Sequence, residues 1–359
     1  MKAAVCREFN APLTIEDVKL AAPGTGEVQV KINACAVCHS DISYMEGAWG
    51  GDLPAVFGHE AAGVVEAVGD GVRNVSPGDH AVVTLVRSCG QCSCCHQGYY
   101  GSCEASFPLD ETSPLSLTDG GAVVGQGLRT GAFAEAVVVE ASQVVAMPKD
   151  VPFDAASLLA CGVITGFGAV TNTAKVPPGS TVVVVGCGGV GLNAVQGAAL
   201  AGARMVIAVD LSSDKLDAAM EFGANFGINP EKENARRQVR SLTGGGADFV
   251  FVTVRAKAAA DQAYGMLRPG GAAVIVGMPA SGVKSEFDIV GLANDSKRIL
   301  GSKMGSSNIH QDIPQLIDMY RQGRLKLDEL ITGRYSLEEI NEAIASVNRG
   351  EALRNVIVF

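Results

Sequence analysis

Two short stretches of the sequence concentrate side chains able to hold a metal. Residues 35–41, CAVCHSD, put Cys35 and Cys38 in a C-x-x-C spacing and follow them with His39, Ser40 and Asp41. From the residues alone, that stretch serves either as a dithiol redox pair or as part of a metal site, and both readings stay open. Residues 89–103, CGQCSCCHQGYYGSC, carry Cys89, Cys92, Cys95 and Cys103 in a C-x2-C-x2-C-x7-C spacing. Four thiolates so close in the chain can close tetrahedrally around zinc and leave no open position for chemistry. A bacterial ferredoxin cluster needs a last gap of three residues followed by proline. Here the gap is seven and Glu104 follows, which favours zinc over iron and sulfur. Cys94 and His96 sit inside the loop as bystanders.

A third stretch, VVVVGCGGVG, ends an apolar run at Val185 and presents Gly186, Gly188 and Gly191 in a G-x-G-x-x-G register, with Gly189 and Val190 between them. Such glycines permit a tight turn, close approach of backbone to a pyrophosphate and close packing of helix on strand, while the helix N-terminus supplies amides and a positive dipole. In a chain of 44 glycines the register alone is weak. The flanking strand, the following helix and Asp210, which ends the next apolar run 24 positions beyond Gly186, supply the context a dinucleotide site requires. An acid there accepts from the ribose 2′-hydroxyl and repels a 2′-phosphate, favouring NAD over NADP. Lys215 is placed to assist from the helix beyond.

These residues need two kinds of scaffold. From residue 2 to about 150, short β-rich runs (EVQVKINACAV, AAGVVEAVG, HAVVTLV, FAEAVVV) alternate with turn residues, the pattern of a barrel or sandwich. From about 180, apolar strands alternate with helix-period segments, which implies a parallel sheet covered by helices on both faces. The last 50 residues hold two amphipathic helices, the second opened by a Ser336–Glu339 capping box, and a final strand, RNVIVF. At 359 residues, 47% hydrophobic and 18% charged, the chain has material for two cored domains of an α/β protein. Apolar runs such as TVVVVG and RMVIAV stop well short of the ~20 residues of a membrane helix, so no membrane partner is expected. The start, MKAAVCREFN, lacks the apolar core of a signal peptide, pointing to the cytoplasm. There, ten cysteines suit metal binding or catalysis rather than disulfides. A net charge of -10 argues against nucleic acid and for a small-molecule partner.

GHEAAGVVEAVG from Gly58, the four-cysteine lobe, LLACGVITG from Leu158 and GCGGVG from Gly186 together resemble the zinc-dependent alcohol dehydrogenases of the medium-chain dehydrogenase/reductase family. The resemblance covers essentially the whole chain. It is finest with the class III type, including bacterial thiol-adduct formaldehyde dehydrogenases, through the segment from Glu104 to Gly131 and the ending EALRNVIVF. It implies a GroES-like, β-rich catalytic domain of residues 1–162 and 304–359, a Rossmann NAD-binding domain of residues 163–303, and a homodimer or homotetramer. It implies two zinc ions per chain. The catalytic ion takes Cys38, His59 and Cys161 as ligands, the Cys2His set of which alcohol dehydrogenases are the type example, and the structural ion takes the four-cysteine lobe. Glu60 and Asp41 match acidic positions that orient the ligands from outside.

The same resemblance implies reversible hydride transfer between a primary alcohol, or its aldehyde, and NAD. Ser40 matches the hydroxyl that takes the alcohol proton and passes it through the nicotinamide ribose. Where many relatives then use a histidine, this chain has Ser43. His39 and Arg354 match positions that contact the coenzyme pyrophosphate. Thr165 and Val190 match positions beside the nicotinamide, and Trp49, Leu85 and Met278 fall where family pockets are lined. Arg255 departs from the usual glycine and either covers the adenosine or faces solvent. One alternative is oxidation of an S-(hydroxymethyl)thiol adduct, which requires a thiol carrier. A distant one is a non-catalytic zinc and nucleotide scaffold, which would call for a damaged ligand set. A dithiol protein using Cys35 would lose activity on Cys35→Ser.

Overall fold

The computed structural model describes residues 1–359, which divide into two compact units: Met1–Gly162 with Asn308–Phe359, and Val163–Ser307. In the first unit, Lys2–Cys6, Thr14–Leu20, Leu115–Leu117, Val123–Gln126 and Ala55–Val56 close a small barrel. A second sheet is organised on the long strand Glu27–Ala36. Val28, Val30 and Ile32 point inward and are fully buried while Lys31 is exposed, the period-2 alternation of a half-buried strand. From Ala34 to Ala36 every residue is buried, because this end carries the site and is covered on both faces.

Register is decisive here. Glu27–Ala36 pairs antiparallel with Glu60–Val68, setting Ala36 opposite Glu60 and Cys35 opposite Ala61. The C-terminal strand Arg354–Val358 pairs on its other edge, with Val356 opposite Ala36. Cys38, His59 and Arg354 therefore leave three adjacent strand ends at one place, although they lie far apart in the sequence. The expected capping box forms, Ser336 N donating to Glu339 Oε2 at 2.9 Å, ahead of the helix Ile340–Asn348.

The second unit is a six-stranded parallel sheet in the order Phe226–Ile228, Met205–Val209, Thr181–Val185, Ala247–Val252, Leu267–Ile275, Arg298–Gly301. Thr181–Val185 is buried throughout, as a central strand covered on both faces must be. Strand order reverses between it and Ala247–Val252, and in such sheets ligands bind beyond the carboxyl ends at that switch point. Two elements escape the sequence patterns. The strand Phe226–Ile228 is three residues inside a turn-like GANFGIN, and the helix Ala235–Thr243 buries only Ala235 and Val239.

The expectation that no apolar run approaches membrane length fails at one place. Phe153–Thr173 is a continuous 21-residue helix long and apolar enough to cross a membrane, but 89% of its apolar window is buried inside the protein, so it is a core helix. Its glycines exist for close packing: a Cβ on Gly166 would lie 2.1 Å from the Val190 carbonyl, and one on Gly168 would lie 2.5 Å from that of Gly305. Met304, Gly305 and Ser306 are all left-handed, and Thr173 Oγ1 sits 2.8 Å from both Ser302 and Ser306 hydroxyls, so this turn belongs to the second unit.

Candidate active site

Cys38 ends the chain's run out of Glu27–Ala36 and caps the helix His39–Met45. Asp41, the third residue of that helix, is completely buried and folds back on it. Its Oδ2 accepts from the Cys38 amide at 3.2 Å, and its Oδ1 accepts from the Gly58 amide and lies against His59 Nδ1, both at 2.9 Å. One carboxylate thus fixes two of the expected metal donors. It also occupies His59 Nδ1, so that Nε2 is the ring nitrogen turned to the other donors. Nε2 is buried with no protein partner, a loss that a buried ring nitrogen bears only where something else satisfies it.

Cys161 arrives from a different element, the π-helical turn Leu159–Val163 within the core helix. Such turns displace a side chain from the α-helical row and recur at functional positions. Donor atoms of Cys38, His59, Cys161 and Glu60 all lie within 4.8 Å of one another, and all four residues are buried. The Cys38 thiol is held well below its ordinary value, chiefly by the hydrogen bond from Cys161 and then by His59; Cys161, giving that bond, is pushed up. Burial alone would lower the His59 imidazole, but Asp41 and Cys38 outweigh it and hold it high. Two buried thiols, one of them already disposed to ionise, beside an unpartnered imidazole nitrogen are the donor set of a zinc site, and binding the ion takes the proton from the second.

Glu60, expected to act from outside the ligand set, joins the donor group itself. Burial pushes its carboxyl up to about 7 against the pull of Arg354, whose guanidinium hydrogen-bonds Glu60 Oε2; Oε1 has no partner. Arg354 is 7% exposed in its side chain, pairs with Glu60 through one terminal nitrogen and keeps a buried Nε without a partner. His39 is exposed on the first turn of its helix and Ser40 half-buried beside it. Ser43 is 1% exposed and donates to the His39 carbonyl at 2.9 Å, which turns its hydroxyl into the helix. Cys35 is fully buried away from the donor group, and burial raises its thiol well above the ordinary value.

Cys89, Cys92, Cys95 and Cys103 form the second donor group, also within 4.8 Å of one another. Backbone amides aim at the sulfurs: Cys89 N to Cys103 Sγ at 3.3 Å, Gln91 N to Cys89 Sγ at 3.4 Å and Cys92 N to Cys89 Sγ at 3.3 Å. The amides of Glu104 and Cys95 hold the Cys92 thiol down to about 6. Amide bonds of this kind favour the thiolate at Cys89 and Cys92, while burial pushes the Cys95 thiol up to about 12, and four sulfurs gathered this closely are the donor set of a closed zinc site. Cys94 and the exposed His96 stay outside the group.

In the second unit the three glycines divide their work. Gly186 has φ +94° and would bring a Cβ within 2.3 Å of Val254, so it makes the turn; a Cβ on Gly191 would lie 1.8 Å from the Gly186 carbonyl, so it allows helix to press on strand. Around Gly188, the cap of the helix Gly189–Leu200, a Cβ would meet nothing within 4 Å, so the backbone amides at this helix N-terminus face open space. Asp210 accepts from Cys187 N at 2.7 Å and Ser212 N at 2.9 Å, which aligns its carboxylate beside the loop with lone pairs to spare. Lys215 lies on the following helix, its amide on the Ser212 hydroxyl at 3.4 Å. Thr165 is buried with its hydroxyl 3.7 Å from Met304 Sδ, and Val190 is half-buried. Of the pocket candidates, Trp49 packs edge-on against Tyr44 at 5.2 Å, Leu85 is half-buried, and Met278, in the second unit, is 51% exposed. Arg255 is exposed.

Sequence reasoning missed a buried network around Arg87, which touches Asp110, Gln143 and Arg129. Its one local signal is an arginine in an apolar run two residues before Cys89.

Comparison with known proteins places these features in context. Residues 24–149 match the family described as alcohol dehydrogenase GroES-like domain, and residues 189–322 match that described as zinc-binding dehydrogenase. The chain is 36% identical to an S-(hydroxymethyl)glutathione dehydrogenase of Paracoccus denitrificans, over 100% of this chain and 99% of that one. It is 37% identical to an NDMA-dependent alcohol dehydrogenase of Amycolatopsis methanolica, over 99% and 98%. Among solved structures, benzyl alcohol dehydrogenase from Acinetobacter calcoaceticus superposes with a TM-score of 0.93 at 31% identity, covering 100% of this chain and 99% of that one.

Proposed function

The chain belongs to the zinc-dependent alcohol dehydrogenases, and on that premise we propose how its residues divide the work of hydride transfer between a primary alcohol and NAD. Cys38, His59 and Cys161 hold the catalytic zinc, and Cys89, Cys92, Cys95 and Cys103 the structural one. The observation that carries this is the buried, unpartnered His59 Nε2 facing two thiols. An ion held by these three donors would supply Lewis-acid polarisation of the substrate oxygen. Ser40 Oγ takes the alcohol proton. Ser43, its hydroxyl given to the His39 carbonyl, is not the next acceptor, and the ribose of bound coenzyme would supply the way on to solvent. Asp41 keeps His59 Nδ1 occupied and Nε2 directed at the metal. The unit Met1–Gly162 with Asn308–Phe359 is the catalytic domain and Val163–Ser307 the coenzyme domain. Gly186, Gly188, Gly189 and Gly191 receive the pyrophosphate and Asp210 the adenosine ribose, with His39 and Lys215 supplying positive charge and Thr165 and Val190 packing at the nicotinamide. Trp49 and Leu85 are the catalytic domain's contribution to the alcohol pocket.

The test is coupled NADH absorbance over aliphatic, aromatic and thiol-adduct substrates, with NAD and NADP, for the wild type and Asp210→Ser. The wild type turns over primary alcohols with NAD. Removing the acid costs a charge-assisted hydrogen bond of about 1.5–3 kcal/mol, so KM for NAD rises roughly 10- to 100-fold and use of NADP appears. No activity with any alcohol would reject the reading; turnover of formaldehyde only with an added thiol would establish the adduct reading, which the Paracoccus relative supports.

We further infer a cytoplasmic homodimer or homotetramer. The ten cysteines form no disulfide and six of them belong to the two donor groups, a usage that suits a reducing compartment. Ile289 and Val290 are 74% and 77% exposed close to the edge strand Arg298–Gly301, an apolar surface with an open ladder that a second copy can cover. Light scattering should give two or four chains per particle, and a lone chain at micromolar concentration rejects the inference.

A further inference from the structure

Arg87 is 1% exposed, and the large majority of buried cations are tied to a partner. Each of its three guanidinium nitrogens donates a hydrogen bond. Nε donates to Gln143 Oε1 at 2.8 Å, one terminal nitrogen donates to Asp110 Oδ1 at 2.9 Å and the other to the Arg129 carbonyl at 3.2 Å. The Phe107 ring lies 5.7 Å from Cζ. Arg87 stands two residues before Cys89 and Asp110 seven after Cys103, so the ion pair closes the base of the four-cysteine lobe.

The third bond leads elsewhere. The Arg129 carbonyl also accepts from Gln143 Nε2 at 3.0 Å, and Gln143, fully buried, in turn donates to the Thr84 carbonyl at 2.8 Å. Arg129 and its neighbour Leu128 are both left-handed, at φ +59° and +51°. Two consecutive non-glycine residues in that region persist only where surrounding bonds hold them. Beyond this turn the chain runs directly onto the metal site: Ala132 N donates to the Gly58 carbonyl and Phe133 N to the Phe57 carbonyl, both at 2.8 Å. A Cβ on Gly58 would lie 2.6 Å from Phe133 N, so the two segments touch backbone to backbone immediately before His59.

We propose that Arg87 is a positioning residue that couples the four-cysteine lobe to the strand end carrying His59, by holding the strained turn Leu128–Arg129 in place. The inference rests on the zinc reading of both donor groups. Its consequence is that the catalytic donors keep their ion less tightly when the hub is cut, although no atom of Arg87 belongs to the donor group.

The experiment uses the full-length protein loaded with zinc, or with cobalt(II) as a coloured probe, and compares wild type, Arg87→Met and Arg87→Lys. Measured are transfer of the catalytic-site ion to a colorimetric chelator, the visible cobalt spectrum, and hydrogen exchange at the Ala132 and Phe133 amides. Arg87→Met should release the ion about 10- to 100-fold faster, the range typical for loss of a supporting partner of a ligand. Its cobalt bands should shift and both amides should exchange faster, while Arg87→Lys falls between. Wild-type release, spectrum and exchange in Arg87→Met overturn the proposal, even if its melting temperature drops. Should Arg87→Met not fold, Asp110→Asn is measured instead, and the same acceleration or its absence decides. A wild type that keeps no ion at Cys38, His59 and Cys161 fails the zinc reading and the proposal together; a wild type that keeps it beside indifferent variants fails the proposal alone.

Discussion

Cys38→Ser removes the catalytic ion and with it essentially all alcohol oxidation, while Cys35→Ser, three residues earlier, leaves activity within a factor of two. The contrast follows from where the two sulfurs stand. Cys38 is in the donor group with Cys161 and His59, and its thiol is already disposed to ionise. Cys35 is in the sheet, fully buried, its sulfur pointing 3.9 Å from the Ala36 carbonyl, and burial disfavours its thiolate. Lewis-acid stabilisation of the substrate oxygen is worth several kcal/mol, so its loss lowers kcat by roughly a thousandfold or more. Metal analysis gives the independent readout: the Cys38→Ser chain should retain only the ion of the four-cysteine lobe, and Cys35→Ser both. Equal loss in the two variants would mean that the C-x-x-C pair works as a dithiol. Full activity in Cys38→Ser would remove it from the metal centre.

Arg354→Met lowers the melting temperature by on the order of 10 °C, by leaving the Glu60 carboxylate buried without its cation. Both side chains are taken out of water, and truncating one partner of a buried pair costs about 3–5 kcal/mol because the remaining charge is uncompensated. In a unit of this size each kcal/mol corresponds to roughly 2–4 °C. Glu60 lies in the donor group with Cys38, and its carboxyl, which burial already pushes up to about 7, rises further without Arg354 and takes up a proton, which is part of that cost. The double variant Glu60→Gln/Arg354→Met, which removes both charges, should recover part of the lost stability, since neighbours sharing one interaction are not additive. Thermal melts of the wild type, Arg354→Met, Glu60→Gln and the double variant check this. An Arg354→Met protein that melts like the wild type but shows a raised KM for NAD would make Arg354 a phosphate contact and the Glu60 pair incidental.

Chemistry written into contiguous residues was legible in the sequence. The four thiols of the lobe lie within one loop, and the glycine register with Asp210 follows one strand, helix and strand, so spacing alone carries their geometry. The alternation of apolar strands with helical segments likewise fixes a parallel sheet, because each element must bury its own apolar face. The catalytic donors were legible only through family resemblance. Nothing local distinguishes Cys161 from a small core residue or His59 from a structural one.

What the tertiary structure decided is everything that depends on register and on backbone leaving the regular helix or strand. The pairing of Ala36 with Glu60 brings Cys38 beside His59 and draws Glu60 into the donor group. A π-helical turn presents Cys161, and an N-terminal helical turn folds Asp41 back to hold two donors at once. The left-handed pair Leu128–Arg129 exists because Arg87 and Gln143 hold its carbonyl. Sequence determines which side chains are available and which local element each enters. Contacts between positions 20 to 300 residues apart are selected by the free energy of the packed whole, where a one-residue slip of a strand would turn every side chain on it to the opposite face.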